Sequence, residues 1–210
     1  MKLLDLYCGE GLAAWGYWRS ARFSEIVGVD IDAHLRTRYA FDFVHGDALK
    51  LDYEFLLQFD FIHASPPCQA YSKMTPDKSK HMRLIAATHL MLAAAGKPYV
   101  IENVEGSGRE LKPNLVMNGN YFNLPHDRKR YFHVSTLAAA HRLIKSGERI
   151  YIHGGDYVSR DELIAVMGLR EMISPHQLKR ITRTGIEQGI PPVMTQWIAR
   201  ELFAQKLRIA

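Results

Sequence analysis

At 210 residues, 47% of them hydrophobic, the chain is long enough for one domain with a real core and marginal for two. Its formal charge of +5 suits an anionic partner such as nucleic acid without requiring one, and two cysteines, at positions 8 and 68, exclude a disulfide framework. No apolar run reaches the roughly eighteen residues of a membrane span, and MKLLDLYCGEG turns acidic and Gly-rich too early for a signal peptide, so a cytoplasmic protein with free thiols and no membrane contact is expected.

Five short apolar runs read as strands: 2–7 (KLLDLY), 25–32 (EIVGVDID), 43–48 (FVHGDA), 60–65 (DFIHAS) and 98–104 (PYVIENV). Helix-like segments lie between them. Residues 78–95 are the clearest, Ala-rich with apolar positions 82, 85, 86, 90 and 93 roughly on one face, and stopped by Gly96 and Pro98. This alternation predicts an α/β fold with a mostly parallel sheet and helices on both faces. In such folds ligands sit beyond the carboxyl ends of the strands. After residue 110 the pattern changes. VMNGNYF (116–122) and RKRYFHVS (128–135) predict an antiparallel pair around a turn at 123–129, and 138–146, 160–168 and 192–207 look helical. No linker divides the chain, so residues 1–210 read as a single domain.

The loop after the first strand, DLYCGEGLAAWG (5–16), carries glycines at 9, 11 and 16. Glycines there let the backbone approach a ligand closely. The spacing departs from GxGxxG, because Ala14 stands where the third glycine belongs, and there is no Walker lysine. Asp30 could accept both hydroxyls of a ribose, and Asp47 an adenine amine. Glu10 would disfavour a pyrophosphate but tolerate a ligand bearing an ammonium group, which points to S-adenosyl-L-methionine. The alternative is that Asp30, Asp32 and Asp47 are ordinary capping and turn residues.

SPPCQAYS (65–72) places Cys68 straight after two prolines at a strand end. Prolines restrict the loop, and an attacking thiolate benefits from such preorganisation. A loop cysteine without a role is the plain alternative. IENV (101–104) ends the neighbouring strand with Glu102, a candidate acid near Cys68. HDRKRYF (126–132) adds Arg128 and Arg130, two apart on one side of an extended segment, able to clamp a carbonyl oxygen or phosphate, or else simply solvated. No metal site is expected.

SPPCQAYS, IENV and HDRKR, in this order, resemble the catalytic loop, glutamate motif and arginine motif of DNA cytosine-5 methyltransferases. DLYCGEG resembles that family's cofactor loop, RDELIAVMGL (160–169) its penultimate block and GIEQGIPPVMTQWIAREL (185–202) its last. The resemblance implies a Rossmann-like class I methyltransferase that uses S-adenosyl-L-methionine and acts on DNA. Cys68 would attack cytosine C6, and Glu102 would engage N3 and the exocyclic amine. Arg130, with Arg128 nearby, would support the base carbonyl and the loop. Asp30 would hold the cofactor ribose and Asp47 the adenine amine. Tyr7, Gly9 and Gly11 would line the cofactor loop, with Pro67 beside it shaping the target pocket.

Three departures stand out. Gly11-Leu12 replaces the family's paired glycines, and Leu12 is expected to narrow the methionine end of the pocket. His126 replaces a glutamine. Only residues 134–159 separate the arginine motif from the penultimate block, where the family inserts a target-recognition domain. Arg142, Lys145 and Arg149 in that stretch could meet phosphates by charge alone. Three functions follow: a minimal DNA cytosine methyltransferase with little sequence specificity, the catalytic half of a split system with a separate recognition subunit, or a non-catalytic cofactor- or nucleic-acid-binding protein on the same scaffold.

Overall fold

The computed structural model describes residues 1–137, 141–143 and 159–206. Within them the strands are β1 (Lys2–Leu6), β2 (Glu25–Asp30), β3 (Asp42–His45), β4 (Phe61–Ala64), β5 (Tyr99–Val104), β6 (Leu115–Met117), β7 (Arg130–Val134) and β8 (His141–Leu143). The helices are α1 (Leu12–Arg19), α2 (Tyr53–Leu57), α3 (Ile85–Ala95), α4 (Gly108–Leu111), α5 (Arg160–Val166), α6 (Pro175–Leu178), α7 (Arg183–Gln188) and α8 (Pro192–Lys206). They form one sheet of order β3-β2-β1-β4-β5-β7-β6-β8. β3 to β5 run parallel, while β7 is antiparallel to both β5 and β6. This is the expected α/β, Rossmann-like class I methyltransferase architecture, including the antiparallel pair near residues 115–134. None of the described helices is long and apolar enough to cross a membrane.

Alternation along the strands sorts the core into two layers. Leu3, Phe61, Val100, Phe132 and Val134 face one side, where Tyr17 of α1 and Met194 and Ile198 of α8 cover them. Leu4, Leu6, Val29, Ile62, Ala64 and Ile101 face the other, under Leu56 of α2 and Ile85 and Leu92 of α3. α1 and α8 meet so closely that a Cβ on Gly16 would lie 1.9 Å from the Pro192 carbonyl oxygen. Thr195 Oγ1 donates to the Ala13 carbonyl at 2.8 Å across the same contact. A third cluster joins α5–α7 to the start of α1 through Leu12, with Leu163, Ile164, Met167, Ile181 and Ile186.

Three sequence expectations are corrected. The helix expected over 78–95 begins only at Ile85, with a separate 3-10 turn at Lys78–Lys80 capped by Asp77. Its buried stripe is Ile85, Thr88, Leu92 and Ala95, whereas Met82 and Leu90 are exposed. Thr88 can turn inward because its hydroxyl meets Tyr7 Oη at 2.9 Å, and Glu110 Oε1 receives the Ala86 N–H of the first turn at 3.2 Å. The strand expected over 116–122 is Leu115–Met117 followed by a 3-10 turn. Within the helix expected over 138–146, residues 141–143 instead add a strand parallel to β6, since an open sheet edge overrides local preference. The rest of that segment, 138–140 and 144–146, lies outside the described residues, as do Lys145 and Arg149.

Candidate active site

Just after β1 the chain enters the left-handed region at Tyr7 (φ 55°), and again at Gly9 (φ 52°) and Gly11 (φ 87°). The strain at Tyr7, about 1–3 kcal/mol for a non-Gly residue, is opposed by its hydrogen bond to Thr88. The turn brings the Gly9 N–H to Asp30 Oδ2 at 3.0 Å, while Asp32 N–H donates to Asp30 Oδ1 at 3.1 Å. The Asp30 carboxylate is thereby fixed at the carboxyl edge of β2. A Cβ on Gly9 would meet nothing within 4 Å, so the loop faces open space there. Asp32 and Asp47 do cap 3-10 turns, accepting from His34 and Leu49 N–H groups. Asp47 keeps its other oxygen 3.8 Å from Lys50 Nζ, half-exposed beside the same edge.

Glu10 does not face the ligand side as expected. Its buried carboxylate accepts from Thr182 Oγ1 at 2.8 Å, from the Thr182 N–H and from Arg38 at 3.2 Å. It stands so close to Gly185 that a Cβ there would lie 2.0 Å from Oε2. Leu12 likewise does not narrow a pocket. It is buried against Gly189, where a Cβ would come within 2.4 Å of Leu12 Cδ1. Both side chains anchor the α5–α7 unit to the loop at Gly9–Leu12.

Cys68 sits half-buried just beyond β4. Its carbonyl accepts from the Tyr71 and Ser72 N–H groups, both at 2.9 Å, which closes a tight turn. The loop is tied to β5 by Asn103 Nδ2, which donates to the Pro66 carbonyl at 2.8 Å. It also rests on Gly106, where a Cβ would lie 2.2 Å from the Tyr71 carbonyl oxygen. Pro66 is buried and Pro67 exposed. Burial pushes the Cys68 pKa up, Arg130 and Arg128 draw it down, and Glu102 pushes it up. The net rise keeps the group a thiol near neutral pH.

Glu102 and Arg130 are neighbours across the β5–β7 ladder and almost fully buried. Arg130 Nε lies 3.1 Å from Glu102 Oε1, but this N–H does not point at an acceptor, so the attraction is Coulombic rather than an aligned hydrogen bond. Burial raises the Glu102 pKa, opposed by Arg130, Arg128 and a hydrogen bond from Ser65. Arg128 is turned away from this pair. It donates to the Glu187 carbonyl at the end of α7 and lies 3.8 Å from Met167 Sδ, although its charge still reaches Glu102 and Cys68. The two arginines therefore do not form one clamp. His126 is fully buried with neither ring nitrogen hydrogen-bonded, and burial lowers its pKa to about 4.

Cys68, Glu102 and Arg130 thus stand near enough to act on one another's charge, and Gly9, Asp30 and Asp47 lie at or just beyond the carboxyl ends of β1, β2 and β3 in the same sheet. A family model described as C-5 cytosine-specific DNA methylase matches residues 1–106, half of the 210-residue chain. The chain belongs to the C-5 cytosine-specific DNA methylase family. It is similar to Type II methyltransferase M1.ScrFI of Lactococcus lactis subsp. cremoris, with 24% identity over 156 residues, covering 62% of this chain and 40% of that relative. It therefore spans less than half the length of that curated relative. Among solved structures, Entamoeba histolytica methyltransferase EhMeth shares the fold, with TM-score 0.51, 18% identity, and coverage of 78% of this chain and 59% of that one. S. pombe Dnmt2 methyltransferase aligns with TM-score 0.48 at 18% identity over 71% of this chain and 52% of its own.

The span matched by the family model contains Tyr7, Gly9, Gly11, Asp30, Asp47, Cys68 and Glu102, but neither Arg128 nor Arg130. Other residues of the crevice escaped the sequence reading. Ile31, next to Asp30, leaves its apolar side chain 71% exposed at the sheet edge. Ser65 bonds Glu102, and His63 bonds Ser65 at 2.9 Å. The signal for these two was the strand alternation 63, 65 beside a glutamate-ended neighbour.

Proposed function

We propose that the chain transfers a methyl group from S-adenosyl-L-methionine to C5 of cytosine in DNA through a Cys68–C6 bond, with little sequence specificity of its own. The observation that carries this reading is the meeting of Cys68, Glu102 and Arg130 beyond β4 and β5 in a chain of this family. Open space over Gly9, the fixed Asp30 carboxylate, the apolar face of Ile31 and the half-exposed Asp47 suit a nucleoside. Asp30 would take the ribose hydroxyls, Ile31 the adenine face and Asp47 its amine. When bound, the cofactor supplies an electrophilic methyl group.

The chain's own groups supply the rest. Cytosine C5 is a poor nucleophile while the ring is aromatic. Bonding of Cys68 Sγ to C6, with loss of the thiol proton, moves the ring's electron pair towards C5; after the methyl group has moved there, loss of the C5 proton and cleavage of the Sγ–C6 bond restore the ring and release Cys68. Glu102, whose raised pKa favours a neutral carboxyl, can donate to N3 as charge builds there. Arg130 holds positive charge beside it and can meet the base carbonyl. Such chemistry requires the base to leave the stack.

Residues 1–210 act as one catalytic domain in this reading, with 134–159 in place of a recognition domain. The shortness of that interval also supports a second reading, a catalytic subunit whose sequence recognition comes from a separate partner. Transfer of a labelled methyl group, run side by side on duplex DNA, single-stranded DNA, RNA and free cytidine nucleotides, tests both. Label at cytosine C5 of DNA, with weak flanking preference and activity falling steeply with salt, is expected. A sharp motif seen only with a second protein favours the split system. Cofactor binding without transfer to any substrate overturns catalysis.

A further inference from the structure

Beside Glu102, on the sheet face covered by α1, lies a file of largely buried polar groups that the proposed chemistry leaves unused. β4 and β5 pair with His63 opposite Val100 and Ala64 opposite Ile101, so the next step sets Ser65 beside Glu102. Alternation turns His63, Ser65 and Glu102 towards the face covered by α1. There Tyr17 Oη lies 3.0 Å from His63 Nδ1, and His63 Nε2 lies 2.9 Å from Ser65 Oγ. Ser65 completes the file: it follows the β4–β5 pairing beside Glu102, and its hydroxyl favours the charged form of that carboxyl. Tyr17 and His63 are both wholly buried.

We infer that Tyr17, His63 and Ser65 form a one-way hydrogen-bond chain that orients the Glu102 carboxyl, with His63 a positioning residue acting through Ser65. The direction follows from counting protons. Ser65 has one hydroxyl proton and can give it to His63 or to Glu102, not to both. With Glu102 ionised, Ser65 donates to it and must accept from His63, so the ring proton sits on Nε2. His63 Nδ1 then accepts the Tyr17 proton, and every member is satisfied. The opposite tautomer would take the Ser65 proton away from the carboxylate. Burial lowers the His63 pKa to about 3, so the ring stays neutral and can hold only one of the two arrangements.

When Glu102 takes a proton, the oxygen held by Ser65 remains the acceptor, and the proton rests on the other oxygen. The file thus decides which oxygen can donate. That matters for catalysis only if Glu102 serves cytosine as proposed above; the coupling itself rests on the geometry alone. The other groups facing the file are Arg130, Arg128 and Cys68 around Glu102, and Asp5, opposite His63 on β1. Asp5 is engaged by the Tyr39 hydroxyl at 3.0 Å.

The test is a pH titration of the Glu102 carboxyl by carbon-13 NMR in protein labelled at the Glu δ-carbon, its resonance identified by its loss in Glu102→Gln. Donation by Ser65 favours the charged form, so losing it must raise the midpoint. Ser65→Ala and His63→Phe should each move it up by about one pH unit, and the double variant should move it no further than either alone. Tyr17→Phe, which keeps the ring and its packing, should shift it the same way by less. A midpoint left at the parent value in His63→Phe and Tyr17→Phe overturns the chain; should His63→Phe not fold, an unmoved midpoint in Tyr17→Phe does so. The titration needs no turnover. A shifted midpoint in a protein that methylates none of the four substrates overturns the catalytic reading and leaves the chain standing.

Discussion

Arg130 and Glu102 face each other across the β5–β7 ladder with 3.1 Å between Nε and Oε1, and neither side chain is more than 8% exposed. A carboxylate this deeply buried keeps its charge only while a cation stands beside it. Arg130→Ala should therefore destabilise the protein by about 3 kcal/mol near neutral pH. The sign with pH is fixed. The Glu102 pKa is already raised by burial, and losing Arg130 raises it further, so the protonated form is favoured in the fold. The deficit should shrink as pH falls towards the unfolded carboxyl value of about 4.3 and grow above it. Glu102→Gln in the same chain should recover most of the loss. Urea denaturation at several pH values checks this, and a pH-independent deficit would show that Arg130 contributes packing alone.

Cys68 rests as a thiol because burial outweighs the pull of the arginines. Alkylation by iodoacetamide should be slow at pH 7 and rise with pH, and Arg130→Ala should slow it further, since that residue is the largest influence lowering the pKa. Cys68→Ser should abolish methyl transfer while leaving cofactor affinity nearly unchanged, because the residue follows β4 whereas Gly9 follows β1 and Asp30 ends β2. Equal turnover in variant and parent removes Cys68 as nucleophile.

Asp30 receives two backbone N–H groups, from Gly9 and Asp32. Asp30→Ala removes a charged acceptor from the proposed ribose site and loosens the turn that presents it. S-adenosyl-L-methionine affinity should fall by roughly 1.5–3 kcal/mol, about ten- to a hundredfold or slightly more. Gly9→Ala should weaken binding too, by filling the open space over the loop, although nothing in the protein obstructs its Cβ. Calorimetry showing unchanged affinity in both variants would place the ribose elsewhere.

Asp5 is completely buried at the centre of β1, with Oδ1 unpaired and its pKa raised to about 8, chiefly by burial. An acid whose folded pKa exceeds its unfolded value of about 3.9 contributes its full stability below that value, and loses it as pH rises towards 8. Asp5→Asn removes the titration. The variant should be more stable than the parent at pH 8, with the advantage fading towards pH 4. Parallel stability curves across that range would mean that Asp5 is charged throughout.

The five parallel strands were legible because each is a short apolar run closed by a polar residue, and the three motifs at 65–72, 101–104 and 126–132 marked the Cys68, Glu102 and Arg130 group. Their partners were not. Glu10 looked like a ligand residue because the loop it sits in is local, whereas Thr182, which claims it, lies far along the chain. Leu12 misled for the same reason. The inward face of α3 was hidden because an Ala-rich helix can bury almost any side, and the choice was made by one hydroxyl, that of Thr88. β8 was hidden because an open edge on β6 is a property of the sheet and not of residues 141–143.

The fit of Gly16 against Pro192 and Thr195 sets an order of events in folding. The first helix finds its cover only in the last one described, so the contact spans nearly the whole chain, and closing such a loop is slow relative to local pairing. On a ribosome, β1 to β5 can pair while the face bearing Leu3, Phe61 and Val100 is still bare. That greasy face, rather than the crevice, is the surface a chaperone would meet during synthesis. The strands that carry Asp30, Cys68 and Glu102 can thus pair before Pro192 and Thr195 are made, and the cover over α1 is added only afterwards.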